Sequence, residues 1–321
     1  MQPLFKRAKV GLSIAITFGL AFLSADLAQA SRNGIERPLN SFAVGITFKA
    51  NGISDLCSGA LISPTFIATA AHCIADVNRV FHNDYIFTAP GTKLDAPINP
   101  ATQPKVLKVT VPDGYFKSET SEANDIAFIQ LDRPLATKGF IRIATENEVA
   151  NLVEGTLLKG YGYGAVFETG ETYSLIPREY GLNWSKPTAD SKLTFQLSSK
   201  DSVACSGDSG GPITATLNNG EEVLIATLHS AAFVINRCGT TAPDGLFYMQ
   251  VSLISSFLPL VASELQKSFV LPTPTPTPKP TIKPKTYKIT CVKGKIKKYA
   301  TGTNPKCPSG YKQTAKVLIT K

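Results

Sequence analysis

The chain has 321 residues, 43% hydrophobic and 18% charged, with a formal net charge of +9. That length buries one large core or two small ones, and the apolar share excludes wholesale disorder. The charge invites a nucleic-acid partner only until it is located: residues 31–271 carry 18 basic and 23 acidic residues, a net of −5, so a nucleic-acid-binding body loses its basis.

In chain order, a basic start (Lys6, Arg7, Lys9) precedes an apolar run over 10–23 and then Ala28-Gln29-Ala30. This is the layout of a secretory signal cleaved after Ala30. The run of 14 residues is shorter than the about 20 that span a bilayer core. The segment therefore reads as a leader (1–30), and the mature chain as an exported protein starting near Ser31. No later stretch is long and apolar enough to span. Export changes the meaning of the six cysteines, which fall in three sequence pairs, Cys57/Cys73, Cys205/Cys238 and Cys291/Cys307. Outside the cytosol such pairs are expected as disulfides. With three histidines and no C-x-x-C, no structural metal is expected.

The body reads as all-β. Strand-like runs occur at 42–48, 60–62, 66–70, 106–111, 126–131, 156–161, 192–197, 212–217, 223–228 and 246–251, most of them separated by Gly, Pro, Asn or Asp. Over 252–268, Ile254, Phe257, Leu258, Val261 and Leu265 recur at helical spacing, and Pro259 predicts a helix that is kinked or in two parts. A Thr-Pro repeat then marks a linker over 272–286, expected as an extended spacer. The last segment, 287–321, holds Cys291 and Cys307. From residue 272 onward the chain has twelve lysines and no acid. So small a module needs a Cys291–Cys307 staple to fold, and its charge suits an anionic cell-surface polymer.

The chemistry concentrates in three segments. Gly207-Asp208-Ser209-Gly210-Gly211-Pro212 sets a serine between glycines on a tight turn, where a nucleophile is approachable and backbone N–H groups can face an oxyanion. Ala70-Ala71-His72-Cys73 follows an apolar run and places a histidine beside a cysteine. Asn124-Asp125 puts an acid at the start of an apolar strand, where it can orient an imidazole away from water. An α/β-hydrolase is excluded, because that fold needs Ser, acid and then His, and the only later histidine, His229, follows Ser209 by twenty residues.

Together, Thr69-Ala70-Ala71-His72-Cys73, Asp125-Ile126-Ala127 and Gly207–Pro212 resemble the chymotrypsin-like (trypsin family) serine proteases, in that family's order, over about residues 41–260. The resemblance implies two antiparallel six-stranded β-barrels closed by a C-terminal helix, and a protease domain over 31–271. It implies His72, Asp125 and Ser209 as the catalytic triad and the amides of Gly207 and Ser209 as the oxyanion hole. Cys57–Cys73 would anchor the histidine loop, and Cys205–Cys238 would brace the specificity pocket, lined by Val203, Ala204, Ser230 and Gly245. The partner is a protein or peptide substrate, with no cofactor, and a monomer is expected.

Two features depart from the family. An ungapped count puts Val203 at the pocket base, which points to cleavage after apolar or small residues. With Val203-Ala204 as an insertion, Asp201 would instead reach the pocket and select Arg or Lys. The family's Ile-Val-Gly-Gly amino terminus, which would pair with Asp208, is absent, and Gly34-Ile35 is the nearest candidate. Asp208 is thus expected to be structural, with its partner unassigned. His229 is expected to line the cleft, and His82 to be a solvated loop residue. A catalytically silent binding protein on the same fold is the alternative from another class.

Overall fold

The computed structural model describes residues 34–76, 78–117, 124–136, 139–166, 172–187, 195–232, 234–235, 238–269 and 285–319. The expected leader and most of the Thr/Pro linker lie outside them. The chain divides into two compact units, one ending at Val270 and one beginning at Leu271.

The first unit opens with a short strand, β1 (Ile35–Glu36), followed by β2 (Ala43–Ala50), β3 (Ile53–Ser63), β4 (Phe66–Thr69), β5 (Asn83–Thr88), β6 (Val106–Thr110) and β7 (Ala127–Leu131). Strands β2 to β7 form one curled antiparallel sheet in the order β5-β2-β3-β4-β7-β6. Both of its faces are apolar. Val44, Ile46, Leu61, Ile67 and Ile129 fill the concave core, whereas Phe42, Ala60, Phe66 and Phe128 pack on the other side against Tyr161, Leu224, Ile254 and Phe257 of the second half. A strand buried on both faces reads as a near-continuous apolar run, which is why the alternation in 42–48 is weak. Each fully buried Ile or Phe contributes about 1.5–3 kcal/mol, so this shared layer ties the halves together.

The second half contains β8 (Leu157–Gly162), β9 (Arg178–Asn183), β10 (Phe195–Ser199), β11 (Pro212–Thr216), β12 (Glu222–Ala231), the short hairpin β13 (Val234–Ile235) and β14 (Cys238–Gly239), and β15 (Phe247–Leu253). The order β9-β10-β15-β12-β11-β8, with β8 pairing back to β9, closes a six-stranded barrel, and β1 pairs with β9. The architecture is therefore the chymotrypsin-like one, an open curled sheet followed by a closed barrel. The C-terminal helix is in two parts, a 3-10 turn Ser255–Leu260 that contains Pro259 and an α-helix Ala262–Ser268. It begins later than the periodicity over 252–268 suggests, because Ser252 and Leu253 complete β15.

The second unit is a three-stranded antiparallel sheet of β16 (Thr286–Lys293), β17 (Ile296–Gly302) and β18 (Lys312–Ile319), with β16 central. Cys291 in β16 is bonded to Cys307 and, with Ile289, is fully buried. No helix among the described residues is long and apolar enough to cross a membrane.

Candidate active site

Strand pairing brings the histidine and the acid together. Strands β4 and β7 are antiparallel, with Thr69 opposite Ala127, so the residues just after β4 lie beside those just before β7. His72 sits on the 3-10 turn Ala71–Cys73, and the Cys73–Cys57 disulfide fixes that turn to β3. Asn124 adopts a left-handed conformation (φ 58°), which asparagine tolerates, and turns Asp125 inward. Asp125 is fully buried (0% exposed) and grips His72 twice. Its Oδ1 accepts the His72 amide at 2.8 Å and its Oδ2 meets Nδ1 at 2.8 Å. The imidazole is 32% exposed, so one edge faces the acid and the other is open to solvent.

These contacts set the charges. Burial disfavours the imidazolium most strongly, but the charge and hydrogen bond of Asp125 outweigh it and hold His72 above the usual imidazole range. Burial likewise opposes the Asp125 carboxylate, yet the charge and hydrogen bond of His72, with a smaller contribution from His229, keep it below the usual carboxylate range.

The serine comes from the other half. Gly207, Asp208 and Ser209 lie on the turn between Cys205 and β11, and Cys205 is bonded to Cys238. Buried Ser58 on β3 stitches this turn to the first half. Its amide donates to Ser209 O at 2.8 Å, its hydroxyl donates to Gly207 O at 2.8 Å, and that hydroxyl accepts from Tyr163 N at 3.0 Å. Gly207 and Gly210 have positive φ (95° and 78°), as only glycine does cheaply, and a Cβ on Gly210 would stand 2.0 Å from Thr69 Oγ1. The amides of Gly207 and Ser209 donate to no acceptor among the described residues. The Ser209 hydroxyl is turned to the carbonyl of His229, at 3.5 Å.

A sequence model of the trypsin family matches residues 31–258, most of the chain. The chain belongs to the trypsin family. Human granzyme M is 27% identical over 183 residues, 52% of this chain and 66% of the relative. Serine protease SP24D of Anopheles gambiae is 28% identical over 207 residues, 61% and 68% of the two chains. Snake venom serine protease PTLE1 of Gloydius halys is 25% identical over 256 residues, 73% and 90% of the two. The chain thus spans about two thirds of the length of the first two relatives.

Within this trypsin-family frame the remaining residues fall out as follows. Val203 and Ala204 are buried in the apolar core of the closed barrel, whereas Asp201 is exposed. Ser230 is half-buried and donates to Gln250 Oε1 at 2.9 Å. Gly245 lies instead on an exposed turn, where a Cβ would meet nothing within 4 Å. The glycine packed on Val203 is Gly239, whose Cβ would come 2.6 Å from Val203 Cγ2 and 2.9 Å from Ala231 Cβ. Of the two glycines, it is thus Gly239 and not Gly245 that touches Val203.

Asp208 is fully buried. Its Oδ1 accepts from Gly164 N and its Oδ2 from Cys205 N, each at 2.8 Å. Ile35, the nearest candidate for an activating terminus, is 57% exposed and paired with Glu179 in β1–β9. His82 is not a solvated loop residue. It is half-buried, stacks on Phe48 with ring centroids 4.9 Å apart, and its Nε2 lies 3.1 Å from the carbonyl of His72. Ser58 and His82 were missed as supports of the site because neither stands in a motif; only the position of Ser58 next to Cys57 hinted at its role.

Proposed function

We propose that this trypsin-family chain is an exported serine endopeptidase acting through an acyl-enzyme. Ser209 Oγ leaves the His229 carbonyl, passes its proton to His72 Nε2 and attacks the scissile carbonyl carbon. The tetrahedral oxyanion takes the N–H groups of Gly207 and Ser209, each such donor worth about 3–4 kcal/mol. His72 returns the proton to the departing amine, and water repeats the sequence on the acyl-enzyme. Asp125 holds the tautomer and offsets the imidazolium charge. The observation that carries this reading is the double grip of buried Asp125 on His72, which fixes the ring with Nε2 turned away from the acid.

The specificity reading follows the buried side chains. A base of Val203, Ala204 and Gly239 offers no partner to a cation, and an unpaired buried charge is costly. Cleavage after apolar or small residues is therefore expected. Profiling the mature protein against a peptide library tests it, and a strict Arg/Lys preference would replace Val203 with Asp201 as the determinant.

The basic module is proposed to hold the enzyme on an anionic cell-surface polymer. Supporting this, lysines and aromatic rings alternate on its sheet: Lys288 Nζ lies 4.5 Å from the Tyr299 ring centroid and Lys316 Nζ 4.2 Å from that of Tyr287. Tyr299 is 61% exposed, leaving a ring face for a sugar beside a charge for its acid group. Full-length protein should bind an acidic polysaccharide at low salt and release at high salt, and a chain ending at Leu271 should not bind. Equal binding by both would remove the module from this role.

A further inference from the structure

Asp125 has a second imidazole on it. His229 Nε2 lies 3.6 Å from Asp125 Oδ2, the oxygen that also meets His72 Nδ1, and the two rings stand 5.8 Å apart at 61°. His229 is 7% exposed, so this is an interior contact rather than a passing surface pair. It is not the placement that strand alternation alone produces. Leu228 pairs with Val251 and Ser230 with Gln250, leaving His229 as the extra residue of a β-bulge in β12. Bulges re-aim a side chain, and here the side chain is aimed at the acid.

The connection crosses the two halves. Both short bonds of the Asp125 carboxylate go to His72, on the same half, so by themselves they let acid and imidazole move as one body. From the other half, Ser252 Oγ donates to the Asp125 backbone carbonyl at 3.1 Å, and His229 is the side chain that reaches the carboxylate. The same residue's carbonyl receives Ser209 Oγ. Residue 229 thus touches the acid with its ring and the nucleophile with its backbone.

We propose that His229 is a positioning residue: its imidazole donates from Nε2 to Asp125 Oδ2 and locks the acid–base pair of the first half in register with Ser209 of the second. Nothing in this role requires contact with substrate. Its loss slows acylation and leaves substrate binding unchanged.

Glutamine and asparagine separate this role from packing. The terminal amide nitrogen of Gln reaches about as far as His Nε2, whereas that of Asn stops near Nδ1. A donor to a charged partner is worth about 1.5–3 kcal/mol, so His229→Asn should lower kcat by about ten- to a hundredfold with KM unchanged. His229→Gln should stay within about threefold of the parent. The His72 Nδ1 proton resonance should persist in His229→Gln and broaden or shift in His229→Asn. Equal kcat for Asn and Gln, or a loss confined to KM, overturns the assignment. Since the proposal rests on the serine-protease reading, the parent is first labelled with an active-site fluorophosphonate. A parent that does not label sinks both readings, and a labelled parent with equal Asn and Gln variants sinks only this one. If His229→Asn does not fold, the resonance and kcat of His229→Gln decide, and a Gln variant impaired more than tenfold refutes the proposal.

Discussion

Asp125→Asn keeps the shape of the side chain and removes its charge. The carboxylate accepts two bonds from His72, one from the backbone amide and one at Nδ1, each 2.8 Å. An asparagine has one acceptor and one donor. The backbone amide can only donate, so the Asn oxygen must face it and the NH2 group must face Nδ1. His72 then moves its proton to Nε2, the atom that must accept from Ser209. A wrong tautomer of this kind costs about 10⁴-fold in kcat, or about 5.5 kcal/mol. The fold should survive, because the lost charge-assisted bonds are offset by the removed cost of burying a carboxylate. The pH profile carries a second signature. His72 must be neutral to act, and Asp125 raises its pKa, so the parent loses activity as pH falls through a midpoint above the ordinary imidazole value. In Asp125→Asn only the smaller effect of the Asp55 charge still opposes burial, and the midpoint should fall below the parent's. Pre-steady-state acylation across pH, with a thermal melt as control, measures both effects. An Asn variant within tenfold of the parent, with an unmoved acid limb, would refute the orienting role.

Other expectations test the scaffold. Gly164→Ala places a methyl 2.4–2.5 Å from the Asp208 carboxyl atoms and should disrupt the serine turn, lowering acylation by more than about a hundredfold, as read by a burst assay. Gly210→Ala meets Thr69 Oγ1 at 2.0 Å and the Ser58 carbonyl at 2.5 Å at φ 78°, and backbone cannot yield there. It should lose about 3 kcal/mol or more in chemical denaturation. Replacing both Cys57 and Cys73 with Ser opens a loop of sequence separation 16 and should cost about 3 kcal/mol, seen as a lower Tm, with the loss of kcat exceeding any change in KM because His72 is released.

The segments carrying the proposed triad stood out because each proposed role demands a local signature: glycines around Ser209, an apolar strand before His72, an acid opening the strand after Asn124. The all-β body followed from short apolar runs, and the two-barrel arrangement from the resemblance. What escaped depends on pairing rather than on order. Strand β9 reads Arg-Glu-Tyr-Gly-Leu-Asn, too polar to flag, yet Arg178, Tyr180 and Leu182 alternate inward, with Glu36 accepting from Arg178 at 3.1 Å. The contact of His229 with Asp125 arises from a bulge, an offset between two strands that neither sequence encodes alone. That Gly239 rather than Gly245 lies against Val203 likewise depends on how the chain folds back there, which residue order does not show.

The central claim is that Ser209 is a nucleophile activated by His72 and Asp125. The most direct measurement is covalent labelling by a fluorophosphonate, followed by mass spectrometry of the modified peptide. The account predicts one adduct, on Ser209, abolished in Ser209→Ala and slowed by about 10⁴-fold in Asp125→Asn. An intact, folded parent that takes up no label, or a Ser209→Ala variant that labels at the parent's rate, would contradict it.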